Sequence, residues 1–280
     1  MNNSTMNFAT PEASTNSTTD SFWTVDKMNI LLYSISLLFG LPINSYVLWL
    51  IITGTGSGVT FFNLNLSICE ICNCLNSLLS IIDSCIWFSH LKTLTWFLLG
   101  LGITGRPLFQ CLMCVERYLA VVHPVTFLKY KPLRYRAICC TAAWLITLVS
   151  CTCCLFTLFS HYIVYLWFFS LQFLLFLSIQ LFCLVTVLRA LKQSGPGEKE
   201  KKREEENHIK RRAFNLILIT TVTMIIIYAP FSISAFIVIL SQQYLKELFY
   251  FGYICFALAG FVQPVLYLHR VGKLSYLCRL

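Results

Sequence analysis

Four charged residues lie inside apolar stretches of the chain: Glu70, Arg106, Glu116 and Arg117. Charged side chains are costly within a membrane, where they are retained in pairs or at functional sites. Arg106 precedes Arg117 by 11 residues, which is almost three helical turns and roughly 16 Å along the axis. Both guanidinium groups are therefore predicted to project from one face of the same helix.

Arg106 and Glu70 are predicted to form a buried ion pair. Either group alone at that depth would cost on the order of several kcal/mol, and pairing removes most of that cost. Asn44 and Gln263 are the expected hydrogen-bond neighbours. Two alternatives are that Arg106 extends to the membrane interface or that it meets Asp83.

Other patterns that could do chemistry are weak. Three C-x-x-C spacings match half a zinc site, but they lie in apolar helices without histidine partners. The chain has no H-E-x-x-H motif, no paired aspartates in apolar segments and no internal repeat. We therefore expect no metal, no cofactor and neither an enzyme nor a transporter. The three spacings are Cys69–Cys72, Cys111–Cys114 and Cys151–Cys154.

Seven apolar segments must position these residues. The 280 residues are 57% hydrophobic and 12% charged, about half the charged fraction of a soluble chain. A hydrocarbon core of about 30 Å needs about 20 apolar residues per helix. The sequence therefore predicts an all-α bundle of seven transmembrane helices over residues 28–268. The segments are 28–52, 59–88, 91–122, 137–159, 162–192, 211–240 and 246–268.

The basic residues predict the orientation of the bundle. Of the 21 Lys and Arg residues, all except Lys27, Lys92, Arg106 and Lys246 fall on one side of the membrane plan. This asymmetry follows the positive-inside rule. We expect a multi-pass protein of the plasma membrane with its N-terminus outside and its C-terminus inside. Without an exposed basic domain, the net charge of +9 does not indicate a nucleic-acid partner.

The N-terminal segment, residues 1–27, is polar and rich in Ser, Thr and Asn. It lacks the apolar core of a signal peptide, so we expect an extracellular tail. Its N-x-[ST] sequons are candidate glycosylation sites. A further sequon at Asn65 lies in an apolar segment, out of reach of glycosylation. The tail sequons are at Asn2, Asn3 and Asn16.

Two inner segments have distinctive composition. Gly195, Pro196 and Gly197 are predicted to end the fifth helix. The mixed-charge run EKEKKREEENHIKRR that follows is predicted to extend the sixth helix into the cytosol, as a solvated end that a cytosolic partner could also contact. Residues 269–280 are expected to form a short amphipathic helix along the inner leaflet, with Cys278 as a candidate palmitoylation site.

Six motifs, in order along residues 28–275, resemble those of the rhodopsin-like (class A) G-protein-coupled receptors, nearest the peptide, nucleotide and lipid receptors. Each motif alone is weak, but their order and their helices agree with the family pattern. They are GLPINSYVLWL with Gly40 and Asn44, LNLSICE with Glu70, VERYLAVVHPVTF with Glu116, Arg117, Tyr118 and Pro124, the single Trp144, IIIYAPF with Pro230, and QPVLY with Gln263, Pro264 and Tyr267.

The resemblance implies a receptor that transmits an extracellular or constitutive signal to heterotrimeric G proteins. It implies that Glu116 holds Arg117 at rest and that Arg117 faces the G protein when released, with Tyr267 nearby. Pro230 and Pro264 interrupt backbone hydrogen bonds and mark kinks about which the inner halves of helices 6 and 7 could swing. Such a two-state element responds to a ligand through differential affinity.

Several positions depart from the family pattern. Where relatives carry a Cys at the outer end of helix 3, this chain has Lys92, so we expect no disulfide to the second outer loop. Arg106 stands where most relatives carry a small polar residue of a sodium pocket, so its pair with Glu70 is expected to replace sodium. These departures keep a second function open, a receptor-like scaffold or partner of other receptors. The others are Phe176, Leu184, Met224, Tyr228 and Gln263.

The ligand is the least constrained part of the prediction. Leu99 stands where amine receptors carry Asp, which argues against a biogenic amine. Aromatic residues at the outer helix ends are typical of an interfacial belt. They could also form an apolar pocket for an anionic or lipid-like ligand. The pocket candidates are Lys92, Trp96, Leu99, Tyr228 and Tyr253.

Overall fold

A computed structural model describes most of the chain. The described residues are helical apart from short connections and include no strand. Several predicted sites lie outside them: the three tail sequons, Tyr253, Gln263 and the C-terminal segment with Cys278. The described ranges are 27–53, 61–86, 89–130, 133–160, 162–192, 200–241, 251–252, 254–256, 260–261 and 264–268.

Six of the described helices are long and apolar enough to cross a membrane. We label them α1 to α6. A short helix, Pro124–Tyr130, lies between α3 and α4. The seventh predicted segment is described only in pieces, all of them helical. The six are α1 Lys27–Ile52, α2 Phe61–Ile86, α3 from Ser89–Gly100 through Leu101–Gly105 to Arg106–Val122, α4 Leu133–Ser160, α5 Tyr162–Lys192 and α6 Glu200–Ser241.

The helix ends agree with the sequence at α5 and α6 and differ around α4. Helix α5 ends at Lys192, ahead of the Gly-Pro-Gly run, and α6 begins at Glu200, so the charged run is helical as predicted. The second inner segment was predicted as a loop but contains the short helix from Pro124, a residue whose fixed φ suits a first helical position. Helix α4 begins at Leu133, four residues before the predicted start.

Two helices contain a π-helical turn just before a proline. Ser36–Gly40 in α1 precedes Pro42, and Leu101–Gly105 in α3 precedes Pro107. A proline within a helix has no N–H to donate, and its ring crowds the carbonyl four residues earlier. A wider π turn relieves that crowding and is a recognised feature of functional sites. In α3 this turn lies directly above Arg106.

Helix α3 lies unusually close to its neighbours because of its glycines. A Cβ added at Gly100 would be 2.9 Å from the Cα of Cys151 in α4. One added at Gly105 would be 3.0 Å from the Cys69 Sγ of α2 and 3.2 Å from the Thr147 Cγ2 of α4. At Gly100 the obstruction is backbone, whereas at Gly105 it is side chains. The close packing of α3 against α4 therefore depends most on Gly100.

An indole hydrogen bond joins α2 to α4. Trp144 Nε1 donates to Asn65 Oδ1 at 2.9 Å, and Asn65 Nδ2 donates to the Phe61 carbonyl at 2.9 Å. The Trp144 ring lies 5.4 Å from the ring of Phe109 on α3. Asn65 is 9% exposed, so the side chain of this sequon asparagine is used in helix packing.

Gly100→Ala is expected to destabilise the bundle more than Gly105→Ala. The new methyl group at position 100 meets backbone and must push α3 away from α4, whereas at position 105 it meets side chains that can rotate. We expect a loss of about 1–3 kcal/mol for Gly100→Ala, the usual cost of overpacking. Thermal unfolding of the purified variants in detergent measures the difference, and equal melting temperatures would contradict the proposed dependence.

Candidate functional site

The buried Glu70–Arg106 ion pair lies at the centre of the described bundle. Arg106 Nε donates to Glu70 Oε1 at 2.5 Å, and Arg106 Nη2 donates to Glu70 Oε2 at 2.7 Å. The two side chains are 3% and 1% exposed. This bidentate geometry satisfies both carboxylate oxygens and is the strongest arrangement of these groups. The structure therefore joins α2 to α3 through a fully desolvated pair.

The seventh segment completes the surroundings of this pair. Arg106 Nη1 donates to the Phe256 carbonyl at 3.3 Å, and its Cζ lies 5.0 Å from the centre of the Phe256 ring. At Gly260, an added Cβ would be 3.5 Å from Glu70 Oε2 and 3.8 Å from Arg106 Nη2. These are ordinary van der Waals distances, so the backbone of the seventh segment lies beside the pair and would leave room for a methyl group there.

Asn44 does not contact the ion pair, contrary to the prediction. Its Nδ2 donates to the Gly40 carbonyl at 2.9 Å and to the Gly260 carbonyl at 3.4 Å. Gly40 belongs to the π turn of α1, whose carbonyls are less regularly bonded than those of an α-helix. Asn44 therefore joins α1 to the seventh segment beside the pair. The second predicted neighbour, Gln263, lies outside the described residues.

A tyrosine of α6 is hydrogen-bonded to the π turn of α3. The Tyr228 hydroxyl donates to the Gly102 carbonyl at 3.2 Å. Pro107, five residues after Gly102, has no N–H and cannot supply the π-type hydrogen bond to this carbonyl. An unpaired buried carbonyl is costly, so the hydroxyl of Tyr228 fills a position that Pro107 cannot.

Tyr228 was predicted to line a ligand pocket, but the structure buries it. It is 2% exposed, and its ring lies 6.3 Å from those of Phe169 and Phe173 on α5 and 6.0 Å from that of Phe256. The side chain is large and apolar with one polar tip, and burial suits it because that tip has a partner. Tyr228 is therefore a core residue that joins α3, α5 and α6.

An outer cavity lies above the ion pair. Leu99, Glu70 and Arg106 are among its lining residues, as are Asn73 and Asn76. Asn73 Nδ2 and Asn76 Oδ1 are buried without a hydrogen-bond partner among the described residues. The predicted pocket does not assemble here, since Lys92 is exposed and Trp96 and Tyr228 are not part of the described lining.

An inner cavity lies below the pair, towards the predicted cytosolic end. Arg117 lines it together with Tyr267 and Pro264 from the seventh segment and Leu216 and Thr220 from α6. Glu70 lines both the inner and the outer cavity. The ion pair is therefore the partition between them.

The carboxylate of Glu116 binds Arg136 of α4. Arg136 Nη2 lies 2.5 Å from Glu116 Oε1, and Glu116 is 8% exposed. This corrects the expectation that Glu116 holds Arg117, because α4 begins early enough to place Arg136 beside the end of α3. Arg117 is half-buried and makes no ion pair within the part of the chain that the structure describes.

Comparison with known proteins gives distant but consistent relatives. No family model matches the chain. It is 26% identical to chemokine XC receptor 1 of Mus musculus over 232 residues, 74% of this chain and 66% of that receptor. It is 27% identical to chemokine XC receptor 1 of Homo sapiens over 230 residues, 74% of this chain and 64% of that receptor. Hydroxycarboxylic acid receptor 2 of Rattus norvegicus is 29% identical over 151 residues, 48% of this chain and 39% of that receptor.

The chain is related to the class A G-protein-coupled receptors. It spans just under two thirds of the length of the chemokine XC receptors that it matches. These relatives are receptors, not enzymes. The ordered motifs of the sequence and the relatives therefore agree on the receptor family.

Two residues beside the receptor-like motifs, Pro107 and Arg136, were not predicted from the sequence. Pro107 follows Arg106 directly in an apolar segment, and that dipeptide was a usable signal for a distorted helix at the centre of the bundle. Arg136 stood among the basic residues of an inner segment, and nothing in its spacing distinguished it from Arg134.

Tyr118, the third residue of the Glu-Arg-Tyr motif, is not among the residues that line the inner cavity. Its hydroxyl is hydrogen-bonded to the exposed His123 at 3.1 Å.

A double-mutant cycle tests the Glu70–Arg106 pair. Glu70→Gln or Arg106→Gln alone leaves one buried charge without its partner and is expected to cost about 3–5 kcal/mol. The double variant removes both charges and is expected to recover much of that loss. Thermal unfolding and surface expression measure the effect. Additive losses in the double variant would show that the two side chains are not energetically coupled.

Tyr228→Phe tests the bond from α6 to the π turn. Removing the hydroxyl leaves the Gly102 carbonyl buried without this donor, at a cost of about 1–3 kcal/mol. Tyr46→Phe is the matched control, because the Tyr46 hydroxyl has no hydrogen bond to the described residues and its ring stacks on Trp49 at 6.0 Å. We expect a lower melting temperature for Tyr228→Phe and no change for Tyr46→Phe. Equal effects would exclude a specific role for the bond.

Proposed function

We propose that the chain is a seven-helix receptor that transmits a signal from outside the cell to heterotrimeric G proteins. The observation that carries the proposal is the place of Arg117 in the inner cavity. Its guanidinium has no ion-pair partner in the described chain, and residues of α6 and of the seventh segment line the cavity with it. A cation in an open cavity between helices is suited to bind a partner segment that enters from the cytosol.

The sequence and the six described helices support the following membrane arrangement. Residues 246–268 form the seventh span, residues 1–27 the extracellular tail and residues 269–280 an amphipathic helix along the inner leaflet. The basic residues of the inner segments support an N-terminus outside the plasma membrane. With this orientation the tail sequons are glycosylation sites on the outer side, and Cys278 is a palmitoylation site on the inner side.

Signal transmission requires two arrangements of the inner helix halves. Pro230 lies inside α6, and Pro264 lines the inner cavity from the seventh segment. Kinks at these prolines let the inner ends of both helices move, while Arg106 holds the seventh segment at Phe256 and Tyr228 holds α6 at Gly102. The guanidinium of Arg106 supplies a fixed cation beside Glu70, so we expect this equilibrium to be insensitive to sodium.

The ligand enters from the outer end, and its chemistry is constrained only broadly. The names of the relatives refer to chemokines and to a hydroxycarboxylic acid. In this chain the exposed Lys92 at the outer end of α3 offers a cation to an anionic or lipid-like ligand. Leu99 and the polar atoms of Asn73 and Asn76 in the outer cavity are the next groups along that path.

A second function, a receptor-like scaffold without conventional signalling, is favoured by one observation. Arg106 and Tyr228 join α2, α3, α6 and the seventh segment through buried polar contacts. Contacts of this kind stabilise one arrangement of the helices. A protein held in that arrangement could bind other receptors without a cycle of activation.

Arg117→Ala distinguishes the two functions. Basal nucleotide exchange by G proteins is measured in cells that express the parent or the variant at equal surface density. A signalling receptor loses its basal exchange because the cation of the inner cavity is gone. Arg134→Ala, an exposed arginine near the same membrane side, is the control and should match the parent. No difference between Arg117→Ala and the parent would favour the scaffold.

A further inference from the structure

We propose that Arg136 is a positioning residue for Arg117. By binding Glu116, it withdraws the nearest carboxylate from Arg117 and leaves that guanidinium available in the inner cavity. The inference rests on the proposed function, because it assumes that Arg117 acts on a cytosolic partner. It adds a residue outside the Glu-Arg-Tyr motif that sets the resting level of the signal.

Arg136 binds only one of the two carboxylate oxygens of Glu116. Arg136 Nη2 contacts Glu116 Oε1, while Glu116 Oε2 is buried and has no hydrogen-bond partner among the described residues. A buried carboxylate oxygen without a donor is costly and readily accepts a new one. When Arg136 is removed, both carboxylate oxygens of Glu116 lack a donor among the described residues, and the adjacent Arg117 is the nearest guanidinium in the sequence that could supply one.

Arg136 is held in place by the short helix that precedes α4. Its Cζ lies 6.0 Å from the centre of the Phe127 ring, within the range of a cation–π contact. Phe127 is fixed in turn by its N–H, which donates to the His123 carbonyl at 2.9 Å. Arg134, two residues earlier on the same helix, is exposed and makes no ion pair with the described residues. The contact with Glu116 is therefore specific to Arg136.

Glu116 attracts the Arg117 cation, and two neighbouring arginines oppose that attraction. Arg212 from α6 and Arg136 from α4 both repel Arg117. Arg136 thus has two effects in one direction, since it occupies the carboxylate and adds a like charge. Without Arg136, the carboxylate is vacant and one source of repulsion is gone, so Arg117 is drawn to Glu116.

The test is basal nucleotide exchange in cells at equal surface density. Arg136→Gln keeps a polar side chain of similar length and removes the charge. We expect basal exchange to fall about fivefold or more, the lower range for a coupling of this kind. Arg134→Gln is the matched control and should equal the parent. Unchanged or increased exchange in Arg136→Gln would overturn the inference.

The Glu116→Gln/Arg136→Gln double variant separates positioning from general stability. It buries no lone charge, so a general loss of stability is smaller than in Arg136→Gln. Its Arg117 has no carboxylate to bind, so we expect exchange at the parental level or above. Exchange as low as in Arg136→Gln would mean that Arg136 acts only on stability, and the inference would fall.

Arg117→Ala, measured in parallel, distinguishes failure of the proposed signalling function from failure of the positioning role of Arg136. If Arg117→Ala abolishes basal exchange while Arg136→Gln leaves it unchanged, Arg117 signals but Arg136 does not position it. If Arg117→Ala has no effect, the proposed signalling function itself fails, and the inference fails with it. The inference stands only when both single variants lower exchange and the double variant restores it.

Discussion

The buried ion pair between Glu70 and Arg106 is the constraint on which the surrounding structure depends. Neither charge is tolerable alone at that depth, so α2 and α3 must stay in register to within a hydrogen bond. The guanidinium has donors left over after the carboxylate is satisfied, and one of them reaches the Phe256 carbonyl. At Gly260 the seventh segment also lies beside the pair. One pair thus fixes three parts of the bundle and closes the space between the two cavities.

The proline beside Arg106 extends this constraint to α6. Pro107 cannot donate a backbone hydrogen bond, and the π turn above it presents the Gly102 carbonyl to the bundle interior, where Tyr228 bonds it. Tyr228 lies two residues before Pro230, the one proline inside the described part of α6. Because α6 runs from the predicted inner side at Glu200 to the outer side at Ser241, Tyr228 lies on the inner side of Pro230. The Tyr228 bond therefore restrains α6 at the kink, and movement of the inner half about Pro230 must pivot at Tyr228 or break this bond.

The sequence predicted a contact correctly where the free-energy cost of an unpaired buried charge required a partner. It did not predict contacts that depend on where helices begin and how they pack. The pair of Glu70 with Arg106 followed from the expense of each charge and from the spacing of Arg106 to Arg117. Asn44 was assigned to that pair on polarity alone, but it also had a carbonyl one turn away in its own helix. Arg136 could not be recognised, because its contact with Glu116 depends on where α4 begins, and helix ends are set by local contacts that apolar periodicity does not carry.

Arg106 and Arg117 project from the same face of α3, but only Arg106 forms an ion pair with the described residues. The difference follows from their depths in the bundle. Arg106 is surrounded by protein, where an unpaired cation would be prohibitive, so its pairing is obligatory and cannot serve as a switch. Arg117 borders a cavity open at the end of the bundle, where water lowers the cost of leaving it unpaired. Only there are the paired and unpaired states close enough in free energy for a neighbouring charge to choose between them. Arg136 is such a charge, and its contact with Glu116 selects the unpaired state of Arg117.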